Sequence, residues 1–270
     1  LKKHLSVIVA TYNRRIALAE LLECLLRQTY ANFEIIVIND AGESIEDVCL
    51  LYPELTIKLI NLPYNQGSAT ARNTGILQAS SDLILFCDDD DLLHSSHIEQ
   101  MLSNLNQDDF LYADAEIFHY HYTKYYRVPT NISTFAFLYQ PEMMRVCSTF
   151  IPSGCLYRKE IHHKTGMLDS NVPIYWDWDF ILRTMERGFK IKRIPTASVY
   201  YAFNAQHSHL SSNLEKMQKE LCVLSEKHHL GNLSVKNFSL LLTDPTIAHL
   251  RAQTQKLWDQ QPIISRINQL

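Results

Sequence analysis

Residues 82–91 read Asp82-Leu83-Ile84-Leu85-Phe86-Cys87-Asp88-Asp89-Asp90-Asp91, an apolar run closed by four successive aspartates. An apolar run without alternation predicts a strand buried on both faces, as in a parallel sheet covered by helices. Working upstream, the same kind of run occurs at Leu5-Ser6-Val7-Ile8-Val9-Ala10, at Phe33-Glu34-Ile35-Ile36-Val37-Ile38 and at Thr56-Ile57-Lys58-Leu59-Ile60. Between these runs, Leu18, Leu21, Leu22, Leu25 and Leu26 recur on one helical face, 45–52 predicts a short helix, and 67–79 a helix rich in small residues. Strands alternating with helices predict parallel strands joined by right-handed crossovers. The fold class is therefore α/β, a mostly parallel sheet with helices on both faces.

Working downstream, the pattern blurs from 110 to 150, where Tyr112, Tyr120, Tyr122, Tyr125, Tyr126 and Tyr139 crowd together with Phe118, Phe135 and Phe137. A strand is expected over 153–158 and another within 191–201. A helix is expected over 176–188, with Ile181, Leu182 and Met185 on one face and Gly188 as its C-terminal cap. After about 206 the composition turns helical: 214–229 and 246–260 read as amphipathic helices. The expected division is 1–205 as one domain, its first half to about 110 and its second from 111, followed by a helical extension over 206–270.

The 270 residues suffice for a buried core. With 46% hydrophobic and 20% charged residues the chain reads as globular rather than disordered. A net charge of −4 speaks against a dedicated nucleic-acid binder. No apolar run approaches the roughly 20 residues of a membrane span. The chain opens on Leu1 rather than Met, which reads as trimmed numbering or a fragment, and no secretory signal is visible at Leu1-Lys2-Lys3-His4. The six cysteines include no Cys-x-x-Cys pair and read as buried thiols of a reducing compartment, so a cytoplasmic enzyme is expected. Seven glycines form neither G-x-G-x-x-G nor a Walker A loop, which speaks against a dinucleotide Rossmann site and a P-loop NTPase.

Ligands of a doubly wound sheet lie beyond the carboxyl ends of its strands. Here those ends carry Thr11-Tyr12-Asn13, Asn39-Asp40 and Asp88-Asp89-Asp90-Asp91. Crowded carboxylates repel one another unless they are solvated or neutralised. A solvated acidic loop is the plain reading; a divalent metal site is the sharper one, because hard cations take carboxylate oxygens. Asp88 and Asp90 can reach one ion, whose remaining positions suit the phosphates of a nucleoside diphosphate.

With these residues in place, the chain resembles the inverting GT-A glycosyltransferases of family 2 over roughly residues 5–205. The resemblance is carried in order by Ser6-Val7-Ile8-Val9-Ala10-Thr11-Tyr12-Asn13-Arg14, by Gln28-Thr29-Tyr30 with the 33–40 segment, by Asn65-Gln66-Gly67, by Ala71-Arg72-Asn73-Thr74-Gly75, and by Asp88-Asp89-Asp90 in the D-x-D position. It implies a GT-A fold and transfer of a hexose or N-acetylhexosamine from a UDP-sugar to a saccharide hydroxyl, with Mn²⁺ or Mg²⁺. Thr11, Tyr12 and Asp40 would hold base and ribose, Asp40 accepting from a uracil N–H. Asn13, Arg14, Asn65, Gly67, Arg72, Asn73 and Asp89 would line the donor site. Asp88 would touch ribose or sugar and Asp90 would bind the metal. Taken alone, Tyr12 could equally pack in the core, Arg72 form a surface ion pair and Asp40 cap a helix.

The family's catalytic base lies in an acidic pair ahead of a helix, where this chain has Trp176-Asp177-Trp178-Asp179. Asp177 aligns with the base, and Trp176 stands where the first acid usually does. As a plain alternative Asp177 is an N-cap, while Asp179 and Arg183 form an i, i+4 pair. Gly154, in Ser153-Gly154-Cys155, falls in the segment lining the sugar and acceptor pocket, and 166–169 resembles the family's G-x-[FL]-D turn. His207 or His209 would help hold the metal or diphosphate, with a solvent-facing histidine as the plain alternative for either.

The tail, with Leu240, Leu241, Leu242, Leu250 and Leu257, is expected to pack on the core or dimerise, with contact to a membrane carrying a lipid-linked acceptor as the third option. That option would put the enzyme at the inner face of the membrane. Two rivals are a sugar-phosphate nucleotidyltransferase, which should show a glycine-rich basic N-terminal loop, and a donor-binding scaffold module of a larger synthase. The first lacks its loop here; the second would bind nucleotide without releasing UDP.

Overall fold

The structure is a computed structural model that describes residues 5–203 and 214–270. The first half follows the expected alternation: β1 (Leu5–Thr11), α1 (Arg15–Leu26), β2 (Phe33–Asn39), α2 (Glu46–Leu50), β3 (Ile57–Asn61), α3 (Ser68–Gln78) and β4 (Leu83–Phe86). These are followed by β5 (Leu92–Leu93), α4 (His97–Asn104), β6 (Phe110–Tyr122), β7 (Arg127–Phe135), α5 (Pro141–Met144), β8 (Leu156–Arg158), α6 (Ile161–Thr165), α7 (Trp176–Glu186) and β9 (Ile191–Ala202). After the undescribed stretch come α8 (Leu214–His228), α9 (Phe238–Leu241) and β10 (Gln255–Lys256).

The strands form one sheet in the order β10-β9-β6-β8-β4-β1-β2-β3, with β5 added beside β9 and β7 beside β6. Pairings from β4 through β1 and β2 to β3 are parallel, as are β6 with β9 and β9 with β10; β8 runs antiparallel between β4 and β6. Side chains of a strand alternate between faces. Val7, Val9, Ile35 and Val37 accordingly pack against Leu18, Leu21, Leu22 and Leu25 of α1. Ile8, Ile36 and Ile38 face α3 and the aromatic shoulder of α7. On α3 the approach is so close that a Cβ on Gly75 would lie 2.5 Å from Ile8 Cγ2 and 2.7 Å from Ile38 Cδ1. The small residues of that helix are a packing requirement.

Two expectations are corrected. The blurred 110–150 stretch is largely the long hairpin β6–β7. Residues 110–118 are buried throughout, Asp114 and Glu116 included, so burial here does not follow the polar alternation of the sequence. The expected helix over 246–260 is absent: 248–250 form one 3-10 turn and 255–256 pair with β9. Pro245 precedes that turn, and Arg193 Nη2 donates to the Gln253 carbonyl, 3.0 Å away. Pairing with the sheet outweighs weak local helical periodicity here. By contrast α7 is capped as expected, with Gly188 at φ 75° two residues past Glu186. Among the described residues no helix is long and apolar enough to cross a membrane.

Candidate active site

Parallel register brings the ends of three strands together: Thr11 lies opposite Asn39, and Ile8 opposite Phe86. Thr11, Asp40 and Asp88 therefore share one edge of the sheet, at the floor of a cleft of about 390 Å³. Of the expected contact residues, Thr11, Tyr12, Arg14, Asp40, Asn65, Gly67, Arg72, Asp88, Asp89, Asp90, Trp176 and Asp177 line this cleft. Tyr12 is half exposed there rather than packed in the core.

Asn13, Asn73 and Gly154 do not line it. The Asn13 side chain accepts the Glu43 N–H at 2.8 Å, and Asn73 is tied in both directions to the Leu168 backbone. Gly154 sits beneath His97, whose Nε2 is 2.9 Å from its carbonyl. The Asp40 carboxylate accepts the N–H groups of Gln66 and Gly67 at 2.7 and 2.8 Å, so its work in this structure is to hold the loop that enters α3. His207 and His209 lie outside the described residues.

The acidic run is organised rather than loose. Arg14 Nη1 bridges Asp89 at 3.0 Å and Asp90 at 2.6 Å, and Arg72 pairs with Asp88. The Arg72 guanidinium also lies 4.4 Å from the centroid of the Trp176 ring, a cation–π contact. Asp91 is fully buried and accepts the Ala202 N–H at 2.9 Å. Burial pushes Asp89 up to about 6 against the pull of Arg14, and pushes Asp91 well above the usual carboxylate range, with Asp90 and Asp88 adding to it. Carboxylate oxygens of Asp88, Asp90 and Asp91 lie within 4.8 Å of one another. An all-oxygen donor set of this kind fits Mn²⁺ or Mg²⁺.

Asp177 stands at the start of α7, buried, on the wall facing the acidic floor. Burial raises its pKa to about 7, opposed by the backbone N–H groups of Trp178 and Asp177 and reinforced by the charge of Asp88. That value suits a group that takes a proton near neutrality. Asp179 pairs with Arg183 as expected, at 2.8 Å.

Several residues were not visible from the sequence. Arg127, fully buried on β7, donates to Glu20 Oε2 at 2.6 Å and to the Asp90 carbonyl at 2.7 Å, fixing the acidic run from beneath. The signal was Glu20 itself, a carboxylate within the apolar run of α1. Asp91 joins the metal-competent group, and Met217, Leu221, Lys236 and Phe238 of the C-terminal segment wall the cleft.

This sheet, with a nucleotide-sized cleft over an acidic strand end, is the GT-A architecture of sugar-transferring enzymes. The sequence profile "Glycosyl transferase family 2" matches residues 6–166, and the chain belongs to that family. It is 44% identical over 265 residues to "Uncharacterized glycosyltransferase YwdF" of Bacillus subtilis (strain 168), covering 98% of each chain. Over 115 residues it is 33% identical to "UDP-Glc:alpha-D-GlcNAc-diphosphoundecaprenol beta-1,3-glucosyltransferase WfgD" of Escherichia coli, covering 42% of this chain and 46% of that one. Among solved structures, S. aureus TarS 1-349 in complex with UDP-GlcNAc superposes with a TM-score of 0.62 at 18% identity, over 83% of this chain and 66% of that one. The mannosyltransferase PcManGT from Pyrobaculum calidifontis, in complex with GDP-Man and Mn2+, gives 0.60 at 14% identity, over 86% and 65%.

Proposed function

We propose that this glycosyltransferase moves a hexose or N-acetylhexosamine from a UDP-sugar to a hydroxyl of a saccharide acceptor, free or lipid-linked, with inversion at the anomeric carbon. Residues 1–110 hold the donor and the elements from 111 onward shape the acceptor side. The observation that carries this reading is the placement of Asp177, raised to about 7, across one cleft from Asp88 and Asp90. The UDP-GlcNAc complex of TarS, on the same fold, and the UDP-glucose named for WfgD favour uridine as the base.

The acceptor hydroxyl gives its proton to an Asp177 carboxylate oxygen as its own oxygen bonds to the anomeric carbon. The bond from that carbon to the diphosphate breaks on the opposite side, and UDP leaves with the electron pair. Arg72 and Arg14, already paired with the acidic run, set positive charge beside the departing phosphates. Mn²⁺ or Mg²⁺ bound by Asp88 and Asp90, with Asp91 alongside, would supply the further positive charge that favours diphosphate departure. Asp177 is itself buried in the cleft wall, and that burial holds its pKa up.

The test is a panel of UDP-sugars assayed for UDP release with saccharide acceptors and Mn²⁺. One donor should turn over, and Asp177→Asn should lower turnover by about 10²- to 10⁴-fold while the donor still raises the melting temperature. Donor binding with no UDP release from any acceptor would replace this reading with that of a binding module.

A further inference from the structure

The family match stops at residue 166, yet the cleft wall and the base lie beyond it. Helix α8 touches the segment bearing Asp177 at two separated places. Ahead of α7, Glu220 Oε2 accepts the Ile174 N–H at 2.7 Å, and Ile174 lines the cleft. Behind it, His228 Nε2 is 2.8 Å from Asp179 Oδ1, and His228 Nδ1 is 3.2 Å from Glu186 Oε1. Lys227 Nζ adds 2.6 Å contacts to Asp179 and to Asp169. Arg145 caps the end of α8 by donating to the His228 carbonyl at 2.6 Å.

Helical geometry explains why this grip matters. Residues two apart on a helix point roughly 200° away from each other. Asp177 therefore faces the cleft while Asp179, with no exposed surface, is pinned on the opposite side by Arg183, Lys227 and His228. The same α8 sends Met217 and Leu221 into the cleft wall. One helix thus fixes the backbone entering α7, the back of its first turn and part of the acceptor side.

We propose that α8 belongs to the catalytic unit, with Glu220 and His228 as positioning residues that hold the first turn of α7 so that Asp177 addresses the acceptor hydroxyl. This rests on Asp177 being the base. Neither residue touches substrate; both act through α7. Misplacing a reacting group by about an ångström costs on the order of a hundredfold in rate. Loss of the grip should therefore appear in kcat, and donor binding, which belongs to the strand ends, should stay as it is.

The experiment compares Glu220→Ala, Glu220→Gln, His228→Ala and His228→Gln with the unmodified chain. The readouts are kcat, the KM for the UDP-sugar, the donor-induced melting shift, and amide hydrogen exchange over 174–180. Expected are a kcat loss of about ten- to a hundredfold in the alanine variants, donor KM and melting shift unchanged, and faster exchange confined to 174–180. Glu220→Gln keeps an acceptor oxygen for Ile174 N–H and should recover most of kcat; His228→Gln keeps one donor for Asp179 and should recover part. Unchanged kcat and exchange in all four variants would overturn the proposal, as would equal loss of donor binding. Should the unmodified chain release no UDP from any donor, the functional reading itself fails, and the exchange pattern still decides whether α8 holds α7.

Discussion

Replacing Asp177 by Asn separates chemistry from stability, because the amide keeps the shape and removes the charge. Loss of a positioned general base lowers kcat by about 10²- to 10⁴-fold. Stability should move the other way. The carboxyl pKa is about 7 in the folded chain against the ordinary 3.8 of an aspartate, so burial disfavours the ion. Between these values the folded state binds more protons than the unfolded one, and stability falls as pH rises. The full difference of about 3 pH units corresponds to roughly 4 kcal/mol, all of it lost by about pH 8. Asp177→Asn should therefore raise the melting temperature at pH 8 by several degrees. That gain should shrink by about 1.4 kcal/mol for each unit of pH below about 7 and vanish near pH 4. Thermal melts of both proteins in EDTA at pH 4, 6 and 8, beside initial rates of UDP release at pH 8, make the comparison. A melting difference that does not vary with pH would refute the buried, raised carboxyl. Turnover within tenfold of the parent would refute the base.

The rate of the unmodified enzyme should rise with pH to a plateau, half-maximal near pH 7, since only the ionised Asp177 accepts a proton; a pH–rate profile flat from 5 to 8 would contradict this. Asp90→Asn should remove the Mn²⁺-dependent part of the donor-induced melting shift, read with and without EDTA, and an unchanged shift would exclude Asp90 as a ligand. Arg127→Met strands Glu20 in the core and should cost about 3–5 kcal/mol in urea unfolding, whereas the double variant with Glu20→Gln should recover much of it. Gly75→Ala should cost about 1–3 kcal/mol by overpacking, since its Cβ would meet Ile8 at 2.5 Å.

The parallel half of the sheet was legible because each strand is a continuous apolar run and each crossover helix has its own period. The same legibility extended to the site wherever its residues lie at strand ends, as Thr11, Asp40 and Asp88 do, because topology alone brings those ends together. It failed where side-chain partners decide. Asn73 falls inside a recognisable motif yet spends its amide on Leu168, and the Asp40 carboxylate is taken by Gln66 and Gly67. Arg127 reaches Asp90 across 37 positions, and His228 reaches Asp179 across 49, separations over which local patterns carry no information. The hairpin β6–β7 was obscured because its first strand is buried on both faces, and β10 because two residues on a sheet edge leave almost no sequence trace.

The most direct measurement of the central claim follows the anomeric proton by NMR while the enzyme, Mn²⁺, a UDP-α-sugar and a saccharide acceptor react. UDP should appear in step with a new β-linked sugar, and both signals should grow at least about a hundredfold more slowly with Asp177→Asn. An α-linked product, or undiminished transfer by that variant, would contradict a single in-line displacement assisted by Asp177.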